Sequence, residues 1–352
     1  MTEELRWGQE LRWGLIGCGK ISHDFGKSLD KAEKPHKVVA CAASSLERAQ
    51  KFAKEHFPHA TPYGSYEELL KDPHIDAVYV GVHNEAHCPW AAKAVEAGKH
   101  VLCEKPFGTC AGEVRQTIKR LKNRKTFLME AFWSRFFPAW RYIRNIVDTK
   151  EWGEPRVVQA NFGYPHEDNW RCNERAEGAL TLYGLYVIML SHYIYKRKPE
   201  KVSVIGAKDK VHDSDEWATI VLEYGPQQRA VLYYDSRTWL PQNAFVSFDK
   251  GHITLPEYFW CPEKLIRWEG ETWYNNEHNK KTIEFPLNDD RFFNYNHSSG
   301  LRYEADHLYE QVQKGRIESD FHPLSATLEI VETMDEVRRQ LGVHFPHDDR
   351  FK

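Results

Sequence analysis

A lysine that follows a buried strand gives this chain a cation placed to meet a ligand at the edge of a sheet, and a helix-like run further on ends in a tyrosine. Lys105 stands in Glu104-Lys105-Pro106, directly after the apolar run His100-Val101-Leu102-Cys103, and Tyr186 ends Gly178-Ala179-Leu180-Thr181-Leu182-Tyr183-Gly184-Leu185-Tyr186. An ammonium about 4 Å from a phenol is worth up to about 4 kcal/mol at an effective dielectric of about 20, roughly three units off an ordinary tyrosine pKa near 10. A lysine at such a strand end presents its ammonium to a ribose and to a reacting substrate oxygen. Pro106 fixes the backbone after the strand and biases Lys105 away from helical geometry.

A second constellation lies near the start, where Gly17-Cys18-Gly19-Lys20-Ile21-Ser22 separates the short run 12–16 from a stretch with helical spacing. Glycine lets a strand turn tightly into a helix and lets the backbone approach a pyrophosphate, whose charge the helix N-terminal amides then hold. Ser22 occupies the third position, so the fingerprint is incomplete, but its strand–turn–helix context predicts that Gly17, Cys18, Gly19, Lys20 and Ile21 bind a dinucleotide. The next strand ends in Ala42-Ala43-Ser44-Ser45 rather than in a carboxylate that would grip an unmodified ribose. Ser44 and Arg48, one helical turn on, suit a 2'-phosphate and favour NADP over NAD. Val82 and Asn84 follow the third strand, Asn84 placed to hydrogen-bond the ribose. Glu104 and Lys105 complete the edge. His87 is counted with this edge, with packing under the following helix as its main reading.

Alternating buried strands (12–16, 37–43, 77–82, 100–103, 125–130) and helices (from Lys20, then 46–53, 65–70, 87–97, 111–121) predict an α/β fold with a doubly wound parallel Rossmann sheet over residues 12–130. Residues 1–11, with the near-repeat Glu4-Leu5-Arg6-Trp7-Gly8 and Glu10-Leu11-Arg12-Trp13-Gly14, read as an N-terminal extension. After Glu130 the texture changes. A helix at 137–147, strand patterns at 155–164, 201–206, 217–224, 228–235, 244–249 and 252–255, and closing helices at about 301–313 and 323–341 predict an α+β domain over 131–352 with an open, largely antiparallel sheet. Two such domains imply a cleft for a small-molecule substrate.

Composition narrows the partners. With 352 residues, a net charge of -3 and charges scattered rather than blocked, the chain offers no footprint for nucleic acid or a membrane surface. No run approaches 18 apolar residues, and no basic, apolar leader opens the chain. The seven cysteines form no CxxC pair and no ligand cluster, so no metal is expected and a reducing cytoplasm fits best.

The chain resembles the glucose-fructose oxidoreductase and inositol dehydrogenase family, and within it the branch of NADP-dependent dihydrodiol and D-xylose dehydrogenases. The markers are Trp13-Gly14-Leu15-Ile16-Gly17, Val101 to Pro106, Met129 to Pro138, Trp260-Cys261-Pro262, Tyr303-Glu304-Ala305 and Gly342 to Pro346. The resemblance implies that Lys105 is the active-site lysine, Tyr186 the acid/base tyrosine, and Trp133 and Arg135 the lining of the substrate cleft; an aromatic cleft that includes Trp133 and Phe162 would favour a flat ring. It also implies hydride transfer between a nicotinamide and a secondary alcohol of a small cyclic diol or sugar, in a homodimer. One position departs: the family carries aspartate four residues before the tyrosine, and this chain carries Leu182. The alternative reading is therefore a cofactor-binding relative with weakened or lost turnover, acting as a sensor or structural dimer.

Overall fold

Strands apolar on both faces need helices above and below them, and the first half of the chain is built that way. In the computed structural model, which describes residues 9–165, 175–209, 211–270 and 279–351, the chain divides into two units. Most of the 1–11 extension and Cys172 lie outside the described residues.

The first unit comprises the chain up to Gly108, Glu113–Phe136 and Leu287–Thr327. Its strands are β1 (Leu11–Ile16), β2 (His36–Ala42), β3 (Thr61–Tyr63), β4 (Ala77–Val80), β5 (His100–Glu104) and β6 (Leu128–Ala131). They lie in the order β3-β2-β1-β4-β5-β6, every pairing parallel. The helices between them are α1 (Lys20–Ser28), α2 (Leu46–His56), α3 (Tyr66–Lys71), α4 (His87–Glu96) and α5 (Ala111–Arg120). Ser45 and Ser65 cap α2 and α3, their hydroxyls accepting from the amides of Arg48 and Glu68 at 3.3 and 3.2 Å, and each cap is worth about 1 kcal/mol. β1 lies between β2 and β4, so the strand order reverses beside it, and ligands of such sheets bind at the carboxyl ends of those strands. Strand β3, three residues with a proline, carries too weak a pattern to read from sequence.

Leu287–Thr327 returns to this unit far from it in sequence, bringing helix α8 (Arg302–Gln313 in chain order). Buried carboxylates fasten the segment. Asp306 accepts from the amides of Glu33 and Lys34, each at 2.9 Å, and Asp24 accepts from those of Asn294 and Tyr295, each at 3.0 Å. A linear division of the chain has no signal for such a return, because the ties join single polar residues some 270 positions apart.

The second unit comprises Thr109–Gly112, Phe137–Pro286 and the chain from Leu328. Helix α6 (Pro138–Thr149) precedes strand β7 (Pro155–Gly163), and helix α7 (Leu185–Tyr195) precedes β8 (Lys201–Lys208), β9 (Asp215–Glu223), β10 (Arg229–Asp235), β11 (Ala244–Phe248), β12 (Gly251–Leu255), β13 (Lys264–Glu269) and β14 (Lys280–Glu284). Helix α9 (Leu324–Leu341) starts in the first unit and runs into the second. The eight strands lie in the order β14-β13-β12-β11-β7-β10-β9-β8, antiparallel except for the parallel pair β7 and β10. Every residue of α7 is buried, as its uniformly apolar sequence requires, and it packs on β7 and β10. Trp140 and Tyr193 lock α6 to α7: the phenol donates to the Trp140 carbonyl at 3.0 Å.

Candidate active site

The glycine turn of the first unit is shaped by what cannot fit there. Gly17 has φ +98°, and a Cβ on it would lie 2.3 Å from the carbonyl oxygen of Gly81. Its amide donates to Ala42 O at 3.0 Å, pinning the turn to β2. At Gly19, by contrast, a Cβ would meet nothing within 4 Å, and no side chain caps the α1 N-terminus. The first amides of α1, from Lys20 and Ile21 onward, are thus open to an anion. The thiol of Cys18 donates to Ala42 O at 3.4 Å, and its pKa is raised by the adjacent Cys41 thiol and by burial, so it stays protonated. At the end of β2, Arg48 Nη1 donates to Ser44 Oγ at 2.9 Å, and both residues are exposed. These features fit the phosphates and 2'-substituent of a nicotinamide dinucleotide.

The strand end that carries Lys105 rests on a set of buried acids. Glu104, 7% exposed, accepts from the Tyr79 hydroxyl at one oxygen and from the Lys105 amide at the other, 3.1 Å away. Burial pushes the Glu104 carboxyl up, opposed by the Lys105 ammonium. The half-buried Lys105 is shifted downward by desolvation, against the pull of Glu104 and Glu130. Glu304 of α8 is wholly buried, and neither carboxyl oxygen meets a hydrogen-bond partner among the described residues. Burial and then repulsion from Glu104 and Glu130 drive its pKa well above the ordinary value, so it is a neutral acid.

Glu130 behaves oppositely. Burial disfavours its charge, but hydrogen bonds from His322 Nε2 (3.0 Å), the Phe107 amide (2.9 Å) and the Thr327 hydroxyl (2.8 Å), with the His322 charge, bring its pKa below the ordinary value. Its hold on Phe107 fixes the loop that contains Lys105. His87 is 1% exposed, with Nδ1 2.7 Å from Pro106 O and Nε2 3.1 Å from Val82 O, and burial lowers its pKa to about 4. It is a neutral buckle between two loops, in keeping with the packing role. Asn84 opens the 3-10 turn Asn84–Ala86 just before it. Trp133 and Arg135 lie in the 3-10 turn Trp133–Phe136 after β6, and Arg135 is only 2% exposed, whereas the resemblance places it in the lining of the cleft.

In the second unit, the run ending at Tyr186 is not a plain α-helix. Leu180–Gly184 forms a π-helical turn, with the Leu185 amide reaching Leu180 O, and α7 begins at Leu185. Thr181 Oγ1 turns back on Gly178, donating to its carbonyl and lying within 3.0 Å of its amide. Tyr183 is buried, its hydroxyl donating to Tyr164 O at 3.4 Å. Neither side chain takes over the position of the missing carboxylate. From Ala179 to Tyr195, Leu182 is the one residue that is not buried. Tyr186 is 6% exposed and meets Phe162 of β7 edge-on, with ring centroids 5.5 Å apart. Phe162 in turn stacks flat on Trp260 at 3.9 Å and 15°. Trp260, Tyr164 and Tyr183 are members of this aromatic cluster that sequence reasoning did not assign. Trp260 and Tyr164 lie in loops, whose aromatics follow no period, and Tyr183 lies in the π turn; only the Trp260-Cys261-Pro262 motif gave a hint.

Residues 11–132 match the model of an oxidoreductase family with an NAD-binding Rossmann fold, and residues 140–254 match the GFO/IDH/MocA C-terminal domain. Human trans-1,2-dihydrobenzene-1,2-diol dehydrogenase is 37% identical over 348 residues, spanning 97% of this chain and 99% of its own. The Xenopus laevis enzyme of the same name is 36% identical over 342 residues, spanning 95% and 99%. Among solved structures, levoglucosan dehydrogenase in complex with NADH and levoglucosan shares the fold with a TM-score of 0.82 at 16% identity, over 95% of this chain and 98% of that one. The described glycine turn, the Lys105 strand end and the full-length relatives lead to one assignment: the chain belongs to the GFO/IDH/MocA family of oxidoreductases.

Proposed function

We propose that this dehydrogenase uses NADP to oxidise a secondary alcohol of a small cyclic diol or sugar, of the trans-dihydrodiol or D-xylose type. The carrying observation is the strand-end Lys105, desolvated and set on the Glu104–Tyr79 and Glu130–Phe107 hydrogen bonds, in the same parallel sheet that carries an uncapped glycine turn. The nicotinamide, when bound, supplies the site that takes the hydride from the carbinol carbon. Tyr186 receives the hydroxyl proton as that C–H bond breaks, and Lys105 stabilises the oxygen while it carries negative charge. Gly17 to Ile21, with Val82, Asn84 and Glu104, hold the dinucleotide, and the exposed Ser44–Arg48 pair supports a 2'-phosphate.

The flat Phe162–Trp260 stack beside Tyr186 supports a planar ring as substrate, and family membership is what supports Trp133, Arg135 and position 182 as substrate residues. The relatives named as dihydrodiol dehydrogenases support the diol. Ile205 and Val231, 73% and 37% exposed on β8 and β10, support a sheet face shared in a homodimer. Six described cysteines are thiols, which supports a cytoplasmic setting.

The test compares NADP reduction by the wild type, Leu182→Asp, Tyr186→Phe and Lys105→Met on trans-dihydrodiols, D-xylose and other aldoses. Wild-type turnover abolished by Tyr186→Phe and Lys105→Met supports the enzyme. Wild-type rates that persist in both variants overturn the mechanism. Leu182 favours a second reading, in which turnover has been lost and only cofactor binding remains. Silence in the wild type with activity gained in Leu182→Asp would establish it.

A further inference from the structure

The two glycines of Gly178-Ala179-Leu180-Thr181-Leu182-Tyr183-Gly184 are both occupied by their neighbours. A Cβ on Gly178 would lie 2.3 Å from Asp215 Oδ1, and one on Gly184 would lie 2.7 Å from the ring of Tyr234. Asp215 is the first residue of β9 and Tyr234 lies near the end of β10, and both are fully buried. Asp215 Oδ2 accepts a short hydrogen bond, 2.5 Å, from the Leu180 amide at the opening of the π turn. The Tyr234 phenol sits close enough to this carboxyl for each to raise or lower the other's affinity for protons, although it is not aligned for a full hydrogen bond. Taking Tyr186 as the proton-transfer residue, we infer that Asp215 and Tyr234 are positioning residues that clamp the π turn and thereby set where Leu182 and Tyr186 are presented.

Three features carry the clamp. A turn of π type leaves an i→i+5 ladder that is poorer than the α ladder and needs outside support. A buried carboxylate on a helix-opening amide gives that support at the positive end of the peptide dipoles. Glycine at 178 and 184 removes the Cβ atoms that would hold the carboxylate and the phenol ring away. The groups facing Asp215 are the Leu180 amide, the Tyr234 phenol and, at longer range, the Arg338 guanidinium of α9, itself paired with Asp335 and Asp348. Burial outweighs these partners and pushes the Asp215 carboxyl up to about 6. The clamp is therefore charged above that pH and weakens below it.

The test uses the full chain with three substitutions: Asp215→Ala removes the acceptor, Asp215→Asn removes only the charge, and Gly178→Ala displaces the carboxylate without altering it. Hydrogen–deuterium exchange of the 178–186 segment is expected to rise about tenfold or more in Asp215→Ala and Gly178→Ala, with exchange in β1 and β5 unchanged. In steady-state oxidation, kcat is expected to fall about a hundredfold with KM within about threefold, because a displaced acid/base group costs rate rather than binding. The wild type is expected to lose kcat below about pH 6, and Asp215→Asn to lose that acid limb, a change that a purely structural role does not produce. Wild-type exchange of 178–186 in Asp215→Ala and Gly178→Ala would overturn the clamp. So would an unchanged kcat and acid limb in folded Asp215→Asn. A wild type without turnover would instead refute the enzyme reading, and the exchange measurement would still decide the clamp.

Discussion

Removing the Glu130 carboxylate should destabilise the first unit and loosen the loop under Lys105. Glu130 is 1% exposed and serves three buried donors: His322 Nε2, the Phe107 amide and the Thr327 hydroxyl. Glu130→Ala leaves all three without their acceptor, and breaking a buried, hydrogen-bonded ion pair from one side costs about 3–5 kcal/mol. At about 2–4 °C per kcal/mol for a unit of this size class, the melting midpoint should fall by about 6–20 °C. Glu130→Gln keeps an acceptor for the Phe107 amide and loses the charge, so it should cost about half as much, since charge-assisted bonds are about twice as strong as neutral ones. The pH dependence follows from the direction of the shift. Because the folded pKa lies below the ordinary carboxyl value, the stabilisation is present above pH about 4.5 and is lost as pH falls through the folded value. Calorimetry of the three proteins between about pH 2 and 8 measures both effects. A Glu130→Ala midpoint within about 2 °C of wild type would refute this account of the loop.

Arg48→Leu should weaken NADP binding by about 10- to 150-fold while leaving NAD binding within about twofold, the loss expected when one charge-assisted hydrogen bond worth about 1.5–3 kcal/mol is removed; nucleotide titrations check it. His87 and His100 are held at pKa values of about 4 by burial, so the unfolded chain binds more protons than the folded one between about pH 4 and 6.5. Stability should therefore fall as pH drops through that window, by up to about 3 kcal/mol per histidine, and chemical denaturation should show a flatter slope in His87→Asn.

What could be read from the sequence was what is local. Gly17, Gly19 and Glu104-Lys105-Pro106 sit at strand ends whose position follows from short apolar runs. The partners that surround the buried acids were beyond reach, because Glu304 and His322 come back to the sheet on a late segment held by a few polar ties far apart in sequence. The π turn was also hidden. Nothing in Leu180 to Gly184 distinguishes it from an α-helix until Asp215 and Tyr234 are placed against it.

That hidden support changes the weight of Leu182. Read as an isolated motif, the exchange of an aspartate for leucine removes one of two polar groups four residues apart on a helix, and loss of activity is a natural conclusion. In the fold, the Tyr186 segment has contacts that do not involve the side chain at 182. They are supplied from beneath by a buried carboxylate and a phenol on β9 and β10, and from the side by the Phe162 ring. Position 182 is the partly exposed member of an otherwise buried stretch, so leucine there costs the fold little and, on the proposed function, would meet the substrate with an apolar surface. Removing one polar partner from a dry site costs about 2.7–4 kcal/mol, but only for a substrate that needs it. A substrate with an apolar ring edge at that point would gain from the exchange, and a sugar hydroxyl would lose. The ratio of kcat/KM for a trans-dihydrodiol over D-xylose should therefore fall by about tenfold or more in Leu182→Asp, because both terms move in opposite directions. An equal change for both substrates would show that position 182 acts through Tyr186 rather than on the substrate.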